Sequence, residues 1–463
     1  MENISIHPLF RRWAFVFLFL FVISGCALKE KLYYAAPTLL PGTERHMKTA
    51  GFWISSHPFP DKIILSHDEI QSLNSYIEND LELIKDITKL LSPYSRDDLI
   101  SLLDKDLDRY NHRSFYIKDS TRAGSRFYQK MKENMNRGAI PPEITVRYGL
   151  ISHFADQRVL PTKEKLYAKP NDIDFDELQE SALDVGTPVA VLHKSLDGRW
   201  YYIIDELYRG WVEAEKVAIC SLEELKRFIN SSPFVVVTKS KGDLFRNTTL
   251  TNHFDYVRMG VTLPISRKTD DGVIQIVLPV RKKDGTVSFE AGYIREDVIH
   301  EGYLPYTPRT IIEQAFKMLN EPYGWGGMYG EQDCSRFIQE IFATVGISFP
   351  RNSSKQSQVG VLIGEYSEKS PEEKKLKTII GEATGGITIL YLKGHIMLFL
   401  GVVDGQPYAI HETWGYRQKV WWGNIIRVIN RVAVTDLFLG KESKKGSYLK
   451  RVLTIRMISR QCN

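Results

Sequence analysis

A cysteine followed by two histidines is the strongest chemistry this sequence offers. Cys334 ends the stretch Glu321-Pro-Tyr-Gly-Trp-Gly-Gly-Met-Tyr-Gly-Glu-Gln-Asp-Cys-Ser335, a Gly-rich turn. Behind it Phe337, Ile338, Ile341, Phe342 and Val345 recur at helical spacing, which puts Cys334 at a helix N-terminus. Unpaired backbone N–H groups and the positive end of the helix dipole favour a thiolate there, the nucleophilic form of the side chain. The same N–H groups point at any oxyanion that forms beside the sulfur. A cysteine nucleophile needs a base, and His395 opens the strand-like run His395-Ile-Met-Leu-Phe-Leu400. A turn at Asp404-Gly405 reverses the chain, and Tyr408-Ala-Ile-His411 returns a second histidine toward the first, so that a base oriented by a further polar group is in reach.

One point of geometry is demanding. A two-residue loop at Asp404-Gly405 pairs Val403 with Gln406 and sets His411 opposite Leu398, three residues from His395. Side chains alternate along a strand, so the two histidines would then project from opposite faces. A bulge or an odd-length loop is required to bring them together. Cys334, His395 and His411 could in principle hold a metal, but no close-spaced ligand pair supports one, and no cofactor is expected.

The elements that must carry these residues form the last block of the chain. Pro308 opens a helix with Ile311, Ile312, Ala315, Phe316 and Leu319 on its apolar side, stopped at Pro322. The Gly-rich turn, a second helix and several strands follow, an α+β domain over residues 305–463. Upstream, residues 144–225 and 226–304 hold short β-rich runs such as Pro188-Val-Ala-Val-Leu192, Trp200-Tyr-Tyr-Ile-Ile204 and Val235-Val-Val-Thr238, broken by turn pairs such as Asp197-Gly198. Two small all-β barrels in tandem account for them, with one larger β-sandwich as the alternative. Residues 51–143 are helical: Ser66 and Glu69 fit a capping box, and Ile70, Leu73, Ile77, Leu81 and Ile84 follow.

These motifs taken together resemble the NlpC-type, papain-like cell-wall cysteine peptidases. The resemblance rests on Pro322-Tyr-Gly-Trp-Gly-Gly327, Asp333-Cys-Ser335, Phe349-Pro-Arg-Asn-Ser-Ser354, Gly394-His395 and Ile410-His411. Arg147-Tyr-Gly-Leu150, Arg158-Val-Leu-Pro-Thr162 and Phe175-Asp-Glu-Leu-Gln179 are similar to the multidomain members with a helical N-terminal domain and two SH3-like domains. The resemblance implies Cys334 as nucleophile, His395 as base and His411 as the orienting third residue. It places Tyr323, Asp333, Ser335, Arg351 and Ser353 around the substrate cleft, with Arg336 where a small residue is common. It further implies hydrolysis of peptidoglycan stem peptides between γ-D-glutamate and the following diamino acid. The first SH3-like domain would lean over the cleft and meet a free N-terminal amine, with Asp174, Asp176 and Glu177 near its start and the aromatic Tyr208 and Trp211 near its end as contacts, the alternative being a solvated acidic loop and barrel-core aromatics. A cut at the diaminopimelate–D-alanine cross-link, or an inert wall-binding scaffold, are the alternatives.

The start of the chain sets the expected compartment. Arg11 and Arg12 precede an apolar run from Trp13 to Ile23, too short for a permanent span of about 20 residues. Ile23-Ser24-Gly25-Cys26 resembles the bacterial lipobox, which makes residues 1–25 a signal peptide, Cys26 the lipidated residue and residues 26–50 a tether. Ala27, rather than Asp, points by the same resemblance to the outer membrane, facing the periplasm. With Cys26 lipidated, Cys220, Cys334 and Cys462 remain in an oxidising compartment, so at least one stays unpaired. The 61 basic and 56 acidic residues among 463 are too balanced for a nucleic-acid footprint, and none is expected as a partner.

Overall fold

The computed structural model describes residues 33–110, 113–117, 120–170, 172–268 and 272–460. The expected signal peptide, Cys26 and Cys462 lie outside them. Three bodies follow the helical segments along the chain. Residues 147–220 form a seven-stranded antiparallel sheet, and residues 234–301 form another. The two are separate sheets rather than one sandwich, joined by a bridge between Ile219 and Thr286.

The last body places the chemistry. Its strands are β1 (Tyr33–Ala35), β2 (Val361–Glu365), β3 (Thr388–Leu392), β4 (His395–Val403), β5 (Gln406–Val420), β6 (Gly423–Asp436) and β7 (Val452–Met457), in the sheet order β1-β6-β5-β4-β3-β7-β2. Of the helices, α1 (Ala50–Ser55), α2 (His67–Asn79), α3 (Arg96–Asp108) and α4 (Ser125–Asn134) precede the first sheet, and α5 (Pro308–Lys317), α6 (Cys334–Ala343), α7 (Glu372–Glu382) and α8 (Tyr448–Arg451) belong to the last body. Helices α5 and α6 bury Ile311, Phe337 and Phe342 against Ile396, Leu398 and Ile410 on one sheet face. The other face packs Met397, Phe399 and Ala409 against Ile379, Tyr448 and Leu449.

Two expectations about the N-terminal region are corrected. The segment read as a tether is structured from Tyr33 onward: β1 pairs in parallel with β6, Tyr33 opposite Ile426 and Ala35 opposite Val428. Leu40 and Met47 are buried behind it. An open sheet edge offers unpaired N–H and C=O groups, and three extended residues satisfy part of it. The helices of residues 51–143 also share no core of their own. Trp53 and Ile54 of α1, with Ile70 and Ile77 of α2, join the core of α5 and α6. Leu99 and Leu103 of α3 and Met131 of α4 join Tyr202, Trp211 and Val235 of the β-sheets. Each helix carries one apolar stripe, and larger neighbours on opposite sides bury more of it than the helices could bury among themselves.

Candidate active site

Asp333 caps α6, accepting from the N–H groups of Ser335 (3.1 Å) and Arg336 (2.9 Å), and this fixes Cys334 as the first helical residue. Asp333 and Ser335, assigned to the cleft wall by the sequence, are tied behind it by Arg351. Its guanidinium donates to both Asp333 oxygens, at 3.0 and 2.6 Å, to Ser335 Oγ at 2.8 Å and to Ser181 Oγ of the first β-sheet at 3.1 Å. Burial would push the Asp333 carboxyl up, but Arg351 overrides it and holds the group below its usual range. A bidentate, buried arginine–carboxylate pair suits this task because both its charges and its geometry are satisfied.

The Gly-rich turn explains its own composition. Gly326 and Gly327 have φ of 60° and 84°, and a Cβ on them would stand 2.8 Å from Gln179 Cγ and 2.8 Å from Ala182 Cβ. Both left-handed backbone and close approach of the first β-sheet exclude side chains there.

The histidines meet through a bulge. Val403 pairs with Gln406, as a two-residue loop requires, but the register shifts between Phe399 and Gly401, so that Leu398 faces Ile410. The shift moves His411 onto the face of His395, and His395 Nε2 lies 2.6 Å from His411 Nδ1. His411 Nε2 lies 2.8 Å from Thr435 Oγ1 on β6. With His411 donating to Thr435 and His395 donating to His411, His395 Nδ1 is left as the free acceptor. The Cys334 thiol accepts the N–H of Ile396, the residue after His395. The Tyr448 ring stacks on His395, with centroids 5.9 Å apart and planes 28° from parallel.

Burial dominates the electrostatics. It pushes the Cys334 thiol up to about 12, with the Asp333 carboxylate adding to the rise. It brings His395 down to about 3, with the Arg451 charge helping. The helix N-terminus alone would favour a thiolate, but desolvation is the larger effect here and favours the neutral thiol and the neutral imidazole.

The remaining sequence candidates divide. Tyr323 is half-buried, and burial raises its phenol, with the nearby Cys334 sulfur raising it further. Ser353 opens the one-turn helix Ser353–Gln356 and is half-buried. Tyr208 reaches from the first β-sheet to Asn352 and feels the charges of Glu180 and Arg351. Trp211 is a correction: it is fully buried, with ring centroids 5.3 Å from Tyr202, and belongs to the core. The acidic run is also largely committed. Asp176 pairs with Arg158 at 2.6 Å and Asp174 accepts the Trp414 indole at 2.8 Å, while Glu177 is partly buried. Between the two acids, Phe175 stands 5.4 Å from Trp325, 5.2 Å from Trp414 and 6.2 Å from Tyr323, so the loop does lie over the cleft, through an aromatic ring. Arg336 is engaged by Asp184 (2.9 Å) and Glu340 (2.7 Å), and Asp184 also binds Arg258 of the second sheet at 2.7 Å. The arginine is thus a tie between the bodies.

Sequence reasoning missed Tyr448 and Thr435, which lie outside every motif. It also missed Glu412, whose carboxylate is buried without a hydrogen-bond partner among the described residues and is pushed well up by burial. Cys220 is free and half-buried, with its thiol pushed up to about 12 by burial. Among the described residues no cluster of three His, Cys, Asp or Glu could hold a metal ion, and no helix is long and apolar enough to cross a membrane.

Comparison with known proteins fits this geometry. Residues 320–420 match the NlpC/P60 family and residues 165–213 an SH3 domain of the SH3b1 type. The gamma-D-glutamyl-L-lysine dipeptidyl-peptidase of Bacillus cereus (strain ATCC 10987 / NRS 248) is 28% identical over 208 residues, 41% of this chain and 56% of that enzyme. The bifunctional muramidase/DL-endopeptidase CwlT of Bacillus subtilis (strain 168) is 41% identical over 49 residues, 10% of this chain and 15% of that protein. The chain thus spans little more than half the length of the first and a small part of the second. An NlpC/P60 endopeptidase from Photobacterium damselae subsp. piscicida shares the fold across 89% of this chain and 97% of its own, with a TM-score of 0.73 and 21% identity. The cysteine capped onto a helix start and the histidine pair across a bulged hairpin both lie within residues 320–420, so this chain carries an NlpC/P60 domain with its cysteine and histidines together.

Proposed function

We propose that the chain is a cysteine endopeptidase of peptidoglycan stem peptides that cuts between γ-D-glutamate and the following diamino acid and prefers a free N-terminal L-alanine. The observation that carries this reading is the His395–His411 contact of 2.6 Å beside the capped Cys334. The B. cereus relative, named for a γ-D-glutamyl-L-lysine bond, supports the choice of bond.

The steps follow from the resting protonation. As the sulfur attacks the scissile carbonyl, His395 Nδ1 takes the thiol proton, and the Cys334 N–H, which has no intrahelical acceptor at the helix start, faces the oxyanion. The imidazolium gives its proton to the leaving amine, which departs and leaves a thioester. Water then attacks the thioester, His395 takes its proton, and the sulfur leaves and recovers that proton. His411 and Thr435 keep the His395 ring oriented throughout.

The Phe175 loop and Tyr208 support a cleft closed on the non-primed side, which suits a peptide already freed from glycan. Incubation with L-Ala-γ-D-Glu-diamino-acid peptides, free or N-acetylated, followed by mass spectrometry, tests the bond and the gate together. Release of L-Ala-γ-D-Glu from the free peptide and little from the capped one is expected. Cleavage at diaminopimelate–D-alanine would move the enzyme to cross-link hydrolysis, and no product would favour the scaffold. The lipobox resemblance at Cys26, seven residues before β1, supports an outer-membrane lipoprotein facing the periplasm.

A further inference from the structure

Strands β5 and β6 run on past the sheet as a ribbon whose tip carries two tryptophans. β5 pairs with β4 only as far as Ile410, while its pairing with β6 continues from Gly415 to the turn, where Val420 faces Gly423. Trp421 and Trp422 fill that turn, 91% and 48% exposed, with their ring centroids 4.9 Å apart, edge to face. A Cβ on Gly423 beside them would meet nothing within 4 Å, so the tip stands clear of the other described residues. Two adjacent indoles held in water are costly, and an indole, with a large apolar face and a single N–H, suits the boundary between an apolar phase and water.

The ribbon is also basic. Between Thr413 and Thr435 stand Arg417, Lys419, Arg427 and Arg431, with no aspartate or glutamate. Lys419 is exposed two residues before Trp421, and Arg427, on the other face of the ribbon, lies over the exposed Tyr34 ring at 5.5 Å. Cations set behind an aromatic tip match anionic headgroups above an acyl layer. β1 ties this tip to the start of the chain. It runs parallel to β6, which leaves the turn at Gly423, so the chain enters β1 from the side of the tip. Tyr33 faces Ile426, three residues from Gly423, and Cys26 is seven residues before Tyr33, a reach of about 25 Å at full extension.

Resting on the lipid-anchor reading above, we propose that the Trp421–Trp422 tip is a membrane seat: both indoles enter the headgroup level of the phospholipid surface that holds Cys26, with Lys419 and Arg427 against its phosphates. The acyl chains supply the affinity and the tip sets the orientation. Trp414, whose ring meets Phe175 over the cleft, is seven residues from Trp421 on the same strand, which holds the cleft about 20 Å from that surface.

The test places the full lipidated chain on vesicles of phosphatidylethanolamine and phosphatidylglycerol, with and without brominated acyl chains, and in parallel sediments it with purified sacculi. Flotation reads the anchor, and bromine quenching of tryptophan emission reads the seat. The wild type should float and be quenched. Trp421→Ala/Trp422→Ala should float equally, lose that quenching and keep the wild-type kcat/KM on a free soluble tripeptide, which also shows that it folds. A wild type that floats without quenching, or a variant quenched as strongly as the wild type, would overturn the seat and leave the anchor standing. Loss of sacculus binding by the variant with no change on vesicles would assign the tip to the wall and overturn the seat as well. Failure of the wild type to float would remove anchor and seat together.

Discussion

His395 Nε2 stands 2.6 Å from His411 Nδ1 only because one residue of β4, Leu400, has no partner in the ladder. The hairpin loop is the two-residue one, so an unbroken register would have turned the rings to opposite faces. The bulge moves the segment before it by one residue, and Thr435 then holds His411 from the next strand.

The relay orders the effects of substitution. His395→Ala removes the base and should lower kcat/KM by roughly 10²- to 10⁴-fold. His411→Ala should cost less, since it disturbs orientation only. Thr435→Val leaves a buried ring nitrogen unpaired and should cost roughly tenfold, mostly in kcat. Steady-state kinetics on one free peptide reads all three, and equal losses would remove the orienting role from His411.

Acid sensitivity should be shifted. The base must be neutral to accept the thiol proton, and activity falls once pH drops through its pKa. Burial, then Arg451, depress His395 from the usual 6.5, against the opposing pull of Asp333, so the acid limb of kcat/KM should lie below pH 6.5. Arg451→Met removes a positive charge and should move the limb upward. A limb at 6.5 or above in the wild type would contradict the buried, neutral base.

Arg351 should matter more for stability than its place beside the cleft implies. Arg351→Ala leaves the Asp333 carboxylate buried without its cation, a loss of about 3–5 kcal/mol. Asp333→Asn/Arg351→Met should recover part of it. Thermal unfolding followed by circular dichroism checks this, and an unchanged midpoint for Arg351→Ala would show that the carboxylate finds other partners.

What could be read from the residues was what is local. The capping aspartate, the helix after Cys334 and the need for a bulge all follow from neighbours within a few positions. The lost features depend on distant partners. Residues 33–35 have too little pattern to announce a strand, and their partner Ile426–Val428 is nearly the whole chain away. Trp211 reads as a cleft aromatic only while its neighbours Tyr202 and His193 are unknown. Asp174 and Asp176 resemble a free acidic loop until Trp414 and Arg158 are placed against them. Tyr448 sits in a segment without motif, brought to His395 because α8 closes the second face of the sheet.

The proposed lipid anchor has a simple consequence. Cys26→Ala should remove the protein from the membrane fraction or leave it with an uncleaved, slower-migrating signal peptide. Fractionation with detergent-phase partition decides it, and a variant that partitions and migrates as the wild type would dismiss the lipobox.

The most direct measurement is the release of L-Ala-γ-D-Glu from L-Ala-γ-D-Glu-diaminopimelate by the wild type and by Cys334→Ala, followed by mass spectrometry. Cys334 opens α6 with a small side chain at a capped helix start, so the substitution should leave the circular dichroism spectrum unchanged. The account predicts steady release by the wild type and none above buffer by the variant; release by Cys334→Ala at the wild-type rate would contradict it.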